Sequence, residues 1–389
     1  MAVEKPMEPN DILLEGDDMA PDLAIVVEEP EAIEVVMDDG SVVVEFGDNT
    51  EMDEEVSHDS NLAEYIDDAE LESLASDLID HFASDRDSRG EWASAYIKGM
   101  DLLGMKVEER TEPWNGASGV YHPMMTEAVI KFQAQAMGEL LPASGPVRSK
   151  IVGKLTTEKF EQAQRVETEL NYLITEKMPD YRDEMEQMLF KLPMAGSAFK
   201  KIYFDPISER PVSQFVPAED LVVSYGASNL RTAPRFTHVM KKTPEEVLKL
   251  QVNGFYRDVE LPAATRDITD IEEKYNELEG SEPTFSDDPR HTILEMHVDL
   301  NLPEPFDDVD GVALPYVVTI DKSSSIVLAI RRNWYEDDSK REKRMHVVHY
   351  PYLPGMGFYG TGLIHTLGGL TKSATSIMRQ LIDAGTLSN

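Results

Sequence analysis

The sequence contains no cysteine, which excludes disulfide bonds, thiolate nucleophiles and cysteine-ligated metal sites. It also has no run of about 18 apolar residues, the length at which a helix can begin to cross a bilayer. Its acidic N-terminus is unlike a secretory signal peptide, and the P-loop pattern G-x-x-x-x-G-K-[ST] is missing. We therefore expect a soluble chain without thiol chemistry and without the ATPase activity of a P-loop motor.

Basic residues are scarce, since 36 Lys and Arg face 74 Asp and Glu and give a formal net charge of −38. The imbalance is concentrated in residues 1–80, which contain 27 acidic side chains and one basic side chain, Lys5. The remainder of the chain is only mildly acidic. Tight DNA binding needs clustered Lys and Arg that release counterions from phosphates. The composition therefore argues against a protein that clasps nucleic acid.

Residues 1–60 are predicted to form an acidic, largely disordered tail, because their charge density leaves too little apolar surface to bury. Short apolar patches interrupt the tail, and Asp39-Gly40 between two of them is typical of a hairpin turn. Both a solvated tail and a strand that docks on a partner fit this pattern, and the solvated tail is the commoner case.

The rest of the chain predicts an α+β fold, with a helical layer, a mixed or antiparallel β-rich module and a closing helix. Apolar residues recur at helical spacing over residues 61–195. Strand-like alternation follows over residues 196–352, interrupted by a charged insertion at residues 256–290. Residues 353–389 combine a glycine-rich turn with a long helix.

Capping and breaker residues predict several helix boundaries. Asp180 is predicted to cap a helix that Pro193 stops, and the last helix is predicted over residues 363–384, ending in Gly385. A further helix is predicted over residues 157–178. Its packed apolar face is expected to consist of Phe160, Ala163, Leu170, Leu173, Ile174 and Met178.

The segment Gly355–Gly360 matches G-x-G-x-x-G between a predicted strand and a predicted helix, as in dinucleotide-binding folds. Pro351 and Pro354 break the tight strand-to-turn connection, and no strand follows the helix to complete a βαβ unit. We therefore favour glycines that let the chain enter a helix, with nucleotide binding as the less common alternative.

Metal-binding and catalytic patterns are weak. His346 and His349 are three apart on a predicted strand and point to opposite faces, while His291 and His297 share a face but are too far apart for one ion. A calcium-loop fragment lacks the EF-hand spacing; it consists of Asp307, Asp308 and Asp310. Adjacent carboxylates in the segment 217–220 favour a turn over acid–base chemistry. We expect no catalytic residues, no cofactor and no enzyme activity.

Two basic clusters are the best candidates for contact with nucleic acid or an acidic partner. A solvated face is the commoner role of such clusters. The candidate residues are Lys340, Arg341, Lys343, Arg344, Arg331 and Arg332.

Several separated stretches, taken in order, resemble the portal proteins of tailed bacteriophages. The likeness is greatest to the large portals of short-tailed phages of the P22 kind, and it extends over roughly residues 61–389. The stretches are PWNGASGVYHPMMTEAVIKFQAQAMGELLPASGP (113–146), KLPMAGSAFKKIYFD (191–205), FVPAEDLVVSYGA (215–227) and GFYGTGLIHTLGGL (357–370).

This resemblance implies a structural subunit in a closed ring of about twelve copies at one capsid vertex. Double-stranded DNA would be packaged and ejected through the ring without sequence-specific binding. The implied partners are the terminase large subunit, the major capsid and scaffolding proteins, and tail adaptor proteins. The implied location is the head–tail vertex of the virion after assembly in the host cytoplasm, with no membrane contact. The chain resembles the wing-like N-terminal part of such subunits.

Two other classes of function remain open from the sequence. One is a nucleotide-binding enzyme that uses the Gly355–Gly362 turn. The other is a capsid-associated adaptor that acts through its acidic tail.

Overall fold

The computed structural model describes residues 33–36, 42–45, 56–105, 110–112, 114–205, 208–265, 267–280, 289–302, 306 and 312–387. The helices are α1 (Asp68–Ser88), α2 (Gly90–Met100), α3 (Met124–Leu140), α4 (Thr157–Tyr172), α5 (Tyr181–Ala195), α6 (Pro244–Val252), α7 (Asp270–Glu279) and α8 (Leu363–Leu387). The strands are β1 (Ile33–Val36), β2 (Val42–Glu45), β3 (Ser197–Asp205), β4 (Arg210–Pro217), β5 (Leu221–Val223), β6 (Arg235–Lys242), β7 (His291–Leu300), β8 (Leu314–Asp321), β9 (Ile326–Arg332) and β10 (Val347–Pro351). None of the described helices combines the length and apolar character needed to span a membrane.

The chain forms two units, Met1–Val56 and Ser57–Asn389. In the first unit β1 and β2 pair antiparallel, with Ile33 opposite Glu45. The turn predicted at Asp39-Gly40 lies outside the described residues, and so does the disorder predicted for most of residues 1–60.

Two antiparallel sheets organise the second unit and confirm the α+β prediction. One sheet has the order β10-β3-β4 and the other has the order β5-β6-β7-β8-β9. Because every pairing between neighbours is antiparallel, short turns can join successive strands without helical crossovers. Helices cover the sheets, and the largest apolar cluster joins Phe199 and Val216 to Phe236 of the second sheet and to Trp92 and Tyr96 of α2.

The turn between β4 and β5 carries the chain from one sheet to the other, and a buried arginine holds it. Arg89, between α1 and α2, donates hydrogen bonds to the carbonyl oxygens of Ala218 (2.7 Å), Glu219 (2.6 Å) and Leu221 (3.1 Å). Its guanidinium also bonds the Tyr359 hydroxyl at 3.1 Å. One side chain therefore fixes the relative position of the helical layer, the turn between the sheets and the entrance to α8.

The prediction that Pro193 stops a helix was wrong. Pro193 lies inside α5, which continues to Ala195 and ends at Gly196 in the left-handed conformation (φ 81°). Burial of Met194 and Ala195, which are 2 % and 1 % exposed, offsets the hydrogen bond that proline removes. Asp180 precedes α5 as predicted, but its side chain makes no capping bond and instead accepts a bond from Arg210 at 2.9 Å.

Two further helix predictions need correction. The helix predicted over residues 157–178 ends as an α-helix at Tyr172 and continues as a π-turn over Leu173–Lys177. None of the described residues in α4 is buried, so the part of the predicted apolar face that lies within α4 does not pack on the core, whereas Met178 at its far end is buried, at 8 % exposed. The last helix runs through Gly385 to Leu387, because nothing in its exposed final turn requires a glycine terminus.

Candidate functional site

A cleft of about 1030 Å³ lies between the two sheets. One wall is formed by β3 and β4, and the other by β6, β7 and the end of β9. Three of the six predicted basic contact residues, Arg331, Arg332 and Arg344, line this cleft. The cleft is therefore the place where the structure brings part of the predicted set together.

An ion pair closes the floor of the cleft. The Lys201 ammonium lies 2.6 Å from both carboxylate oxygens of Glu295, and the His297 ring bonds the same carboxylate at 3.1 Å through Nε2. Burial alone would raise the pKa of Glu295, but Lys201 and His297 outweigh burial and hold that pKa well below its usual range. Glu295 therefore remains ionised and unsuited to acid–base chemistry.

The histidines around this ion pair are neutral. Burial, together with the nearby Lys201, lowers the pKa of His238 to about 3, and burial also lowers the pKa of His297. The pKa of His346 is lowered to about 4, first by burial and then by His297. Within the described residues, no group of three or more His, Asp or Glu has the arrangement of a metal site.

This buried polar cluster was not predicted from the sequence. Glu295 and His297 are two residues apart on β7 and therefore share a face of the sheet. The spacing of two residues could therefore have been used to predict from the sequence that Glu295 and His297 lie side by side. Nothing in the sequence indicates that Lys201, 94 residues earlier, pairs with Glu295.

Arg331 and Arg332 are tied to the start of the second unit. Arg331 donates to the carbonyl oxygen of Asp59 at 2.6 Å and lies 4.5 Å from the Phe255 ring centre. Arg332 donates to the carbonyl oxygens of Ser57 and His58, both at 3.2 Å. These two side chains fasten the segment 57–59 to the end of β9.

The other four predicted basic residues do not form one surface. Lys343 is half-buried beside Asp299, at 3.8 Å, and burial lowers its pKa. Arg344 lies over the Tyr335 ring and Arg341 lies over the Trp334 ring. Lys340 alone among the six predicted residues is exposed. The predicted contact set is thus divided between internal contacts and a single solvent-facing lysine.

The glycine turn at residues 355–362 is packed against the protein's own backbone. A Cβ on Gly360 would lie 2.2 Å from the carbonyl oxygen of Gly196, and the Gly360 amide donates to the Ser197 hydroxyl at 2.8 Å. Phe358 and Tyr359 are 5 % and 3 % exposed. Because these glycines have no side chains, α8 can start directly against β3. This agrees with the interpretation favoured from the sequence, in which the glycines let the chain enter a helix.

The adjacent carboxylates at residues 219 and 220 lie in the turn between the sheets. Glu219 accepts a hydrogen bond from Tyr275 at 2.9 Å and forms an ion pair with Lys191 at 3.1 Å. Burial, followed by the neighbouring Glu219, raises the pKa of Asp220 to about 7. Tyr275 also shares a 2.7 Å hydrogen bond with Tyr96, so this network attaches α7 to the helical layer.

Residues 142–177 form an arm between α3 and α5. An extended segment runs beside α4, because the Asn171 side chain bonds the backbone N–H and carbonyl of Val147 at 2.9 and 3.0 Å. Ser149 likewise donates to Glu167 at 2.9 Å. Large apolar side chains of the arm remain open to solvent: Val152 (88 % exposed), Leu155 (71 %), Phe160 (57 %), Val166 (46 %), Leu170 (40 %) and Tyr172 (46 %).

Charges are segregated on the arm. The extended segment carries Arg148, Lys150 and Lys154 and no acidic residue. Helix α4 carries four glutamates against two cations; the glutamates are Glu158, Glu161, Glu167 and Glu169, and the cations are Lys159 and Arg165. Three of these glutamates, Glu158, Glu161 and Glu169, are exposed.

A groove of about 1010 Å³ runs between α2 and α8. Its α8 wall extends from Ile364 to Leu387, and its apolar lining includes Leu102 and Trp114. Four cations line the groove against two carboxylates; the cations are Lys98, Arg110, Lys372 and Arg379, and the carboxylates are Asp101 and Asp383. The groove is therefore locally positive in a chain whose net charge is −38.

Helix α8 also leaves part of its apolar stripe exposed. Leu363 and Leu367, which lie at helical spacing, pack against the main cluster. Leu370, Ile377 and Leu381 are 62 %, 59 % and 70 % exposed. Only the first turns of this stripe meet the core of the same chain.

No known family model matches the chain, and no curated protein matches it.

Proposed function

We propose that this protein is a ring-forming structural subunit of the portal type, through which double-stranded DNA passes at one vertex of a phage capsid. The observation that carries the proposal is the arm at residues 142–177, whose apolar side chains have no covering partner within the described part of the chain. Monomeric proteins rarely leave large apolar groups clustered in water. A repeating contact between copies would cover them.

The pairing of a projecting arm with a groove suits a ring. In a heterologous interface one surface of each copy contacts a different surface of the next, and such contacts close into rings when the rotation allows it. The arm supplies a projecting apolar element, and the α2–α8 groove supplies a concave one. The portal resemblance of the stretches 113–146 and 357–370, which contribute to both surfaces, supports the same proposal.

The surface charge supports passage of DNA rather than attachment to it. Apart from Lys340, the predicted basic contact residues are engaged inside the protein, and the chain beyond residue 80 is mildly acidic. On this proposal that acidic surface faces the DNA passage, where it would repel phosphates. On this proposal the terminase large subunit, capsid and scaffolding proteins, and tail adaptor proteins are the partners, and the protein has no enzymatic role.

The mass and shape of the purified 389-residue chain test the proposal. We expect native mass spectrometry to detect a closed assembly of about a dozen copies, and negative-stain images to show rings with a central opening. A chain that remains monomeric at every concentration and salt condition tested would contradict the proposal.

A further inference from the structure

We propose that α4 of one copy lies in the α2–α8 groove of a neighbouring copy of the same chain. This inference rests on the proposed ring and names the surfaces that would form its interface. It follows from the exposed apolar residues of α4, the shape of the groove and the opposite charges of the two surfaces.

The dimensions of the two surfaces agree. Helix α4 has 16 residues, which corresponds to a length of about 24 Å. The groove follows α8 from Ile364 to Leu387, a distance of about 35 Å along the helix. A full-length α4 therefore fits within the groove, in the way that amphipathic helices bind grooves in other complexes.

The lining of the groove suits an apolar helix face. Gly369 is exposed and has no side chain to hold a second helix away, and an added Cβ there would meet nothing within 4 Å, whereas Gly368 is buried against Leu102 of the same chain. Leu102 and Trp114 offer apolar surface on the opposite side. Val166 and Leu170, four residues apart on α4, would cover that surface at helical spacing.

The charges of the two surfaces are complementary. Lys98 on α2 and Lys372 on α8 are exposed, and neither ammonium has a carboxylate partner among the described residues. Glu158, Glu161 and Glu169 on α4 are exposed and likewise have no cationic partner in that part of the chain. Opposite potentials steer association and set its register. A second copy would therefore bring acidic side chains to Lys98 and Lys372 of the groove.

A charge-reversal experiment tests this interface. The arm variant is Glu158→Lys, Glu161→Lys and Glu169→Lys, and the groove variant is Lys98→Glu and Lys372→Glu. All five positions are exposed, so we expect both variants to keep the parent's free energy of unfolding within about 0.5 kcal/mol. Each variant alone places like charges across the interface, and we expect its self-association to weaken about 100-fold.

Mixing the two variants is the decisive measurement. The positive arm of the arm variant meets the negative groove of the groove variant, and the unchanged arm of the groove variant meets the unchanged groove of the arm variant. An equimolar mixture should therefore recover assemblies in which the two variants alternate. When one variant is labelled uniformly with ¹⁵N to separate the two masses, native mass spectrometry should detect equal numbers of the two variants.

The outcomes separate this inference from the proposed ring. If the parent chain assembles and either variant assembles equally well alone, α4 does not occupy the groove, while the ring proposal stands. Failure of the mixture to recover association would also overturn the inference. If the mixture recovers closed pairs only and the parent also stops at pairs, the interface is supported and the ring is contradicted. A parent that never associates contradicts both.

Discussion

At the scale of single residues, Arg89 has an unusual concentration of roles. It is 6 % exposed, donates to two carbonyl oxygens of the turn between the sheets and to that of Leu221 in β5, and lies against the rings of Trp92 and Tyr359 at 5.4 and 5.6 Å. Bonds from a charged donor to buried carbonyl oxygens contribute more than neutral ones. The side chain is thus a structural centre rather than a candidate for catalysis.

Replacement of Arg89 by methionine should therefore be costly. We expect Arg89→Met to lower the free energy of unfolding by about 3 kcal/mol, because buried carbonyl oxygens lose their donors. Urea unfolding followed by circular dichroism measures the loss. Arg231→Met, at an exposed position, is the matched control, and it should change stability by less than about 0.5 kcal/mol. Equal stability of the two variants would show that Arg89 does not hold the turn.

Buried histidines make stability depend on pH. The pKa values of His238, His346 and His349 are lowered to about 3, 4 and 4, chiefly by burial, so all three remain neutral in the fold near pH 5. In the unfolded chain they take up protons below about pH 6.5. The unfolded state then binds more protons, and stability falls as pH falls from about 6.5. Asp220, whose pKa is raised to about 7, opposes this trend between about pH 4 and 7 because its protonated form is favoured in the fold.

Substitution of His238 by glutamine isolates one of these contributions. Between pH 7.5 and pH 5 the parent should lose about 2 kcal/mol of stability through this residue alone, and His238→Gln should remove that part of the pH dependence. Urea unfolding at the two pH values measures the difference. The same substitution at exposed His81 is the control. An unchanged pH dependence in His238→Gln would mean that this imidazole is not kept neutral by the fold.

At the scale of elements, the close backbone contact between Gly196 and Gly360 determines how the chain enters α8. We expect Gly360→Ala to lower the free energy of unfolding by about 3 kcal/mol, because its Cβ would overlap the Gly196 carbonyl oxygen. Gly369→Ala, six residues into α8 and open to solvent, should instead raise stability by about 0.5–1 kcal/mol. Thermal unfolding of the two variants should therefore shift in opposite directions. A stable Gly360→Ala variant would show that this turn can relax.

Local sequence signals predicted where the helices lie better than they predicted which other parts of the chain pack against them. The spacing of Thr243 and Glu246 in the sequence predicts a capping box, and the structure contains it because both partners lie within one turn. Pro193 did not end the helix, because burial of residues 194–195 against other parts of the fold offsets the free energy that the proline costs the helix. The periodicity of α4 was correct, but periodicity identifies an apolar face without saying what covers it.

The candidate site was harder to predict for the same reason. Arg331 and Arg332 looked like a solvent-facing basic pair, yet their partners are carbonyl oxygens more than 270 residues earlier in the sequence. The Lys201–Glu295 pair likewise joins two different sheets. Such contacts depend on how sheets and helices stack. No local pattern encodes that arrangement.

At the scale of the whole molecule, charge opposes assembly. Copies that each carry a net charge of −38 repel one another. This repulsion acts over distances longer than the Debye length, so dissolved salt screens it effectively. The proposed contacts between the arm and the groove would act at shorter range and would be screened less. We expect the assembled fraction to increase as sodium chloride rises from about 0.05 to 0.5 M, where the Debye length falls from about 14 to about 4 Å. Sedimentation velocity across this range measures it, and a decrease would show that ion pairs dominate the interface.

The long-range bonds of the first helices also bear on how the chain is made. Asn61 bonds the carbonyl oxygen of Leu328, and Arg89 bonds Tyr359, partners that are 267 and 270 residues later. A ribosome adding about 5–20 residues per second needs roughly 15–55 seconds to produce that length. Throughout this interval the apolar face of α1 emerges without the strands that will cover it. Biosynthesis of this protein therefore includes a period in which its earliest helices expose apolar surface that only later parts of the chain cover.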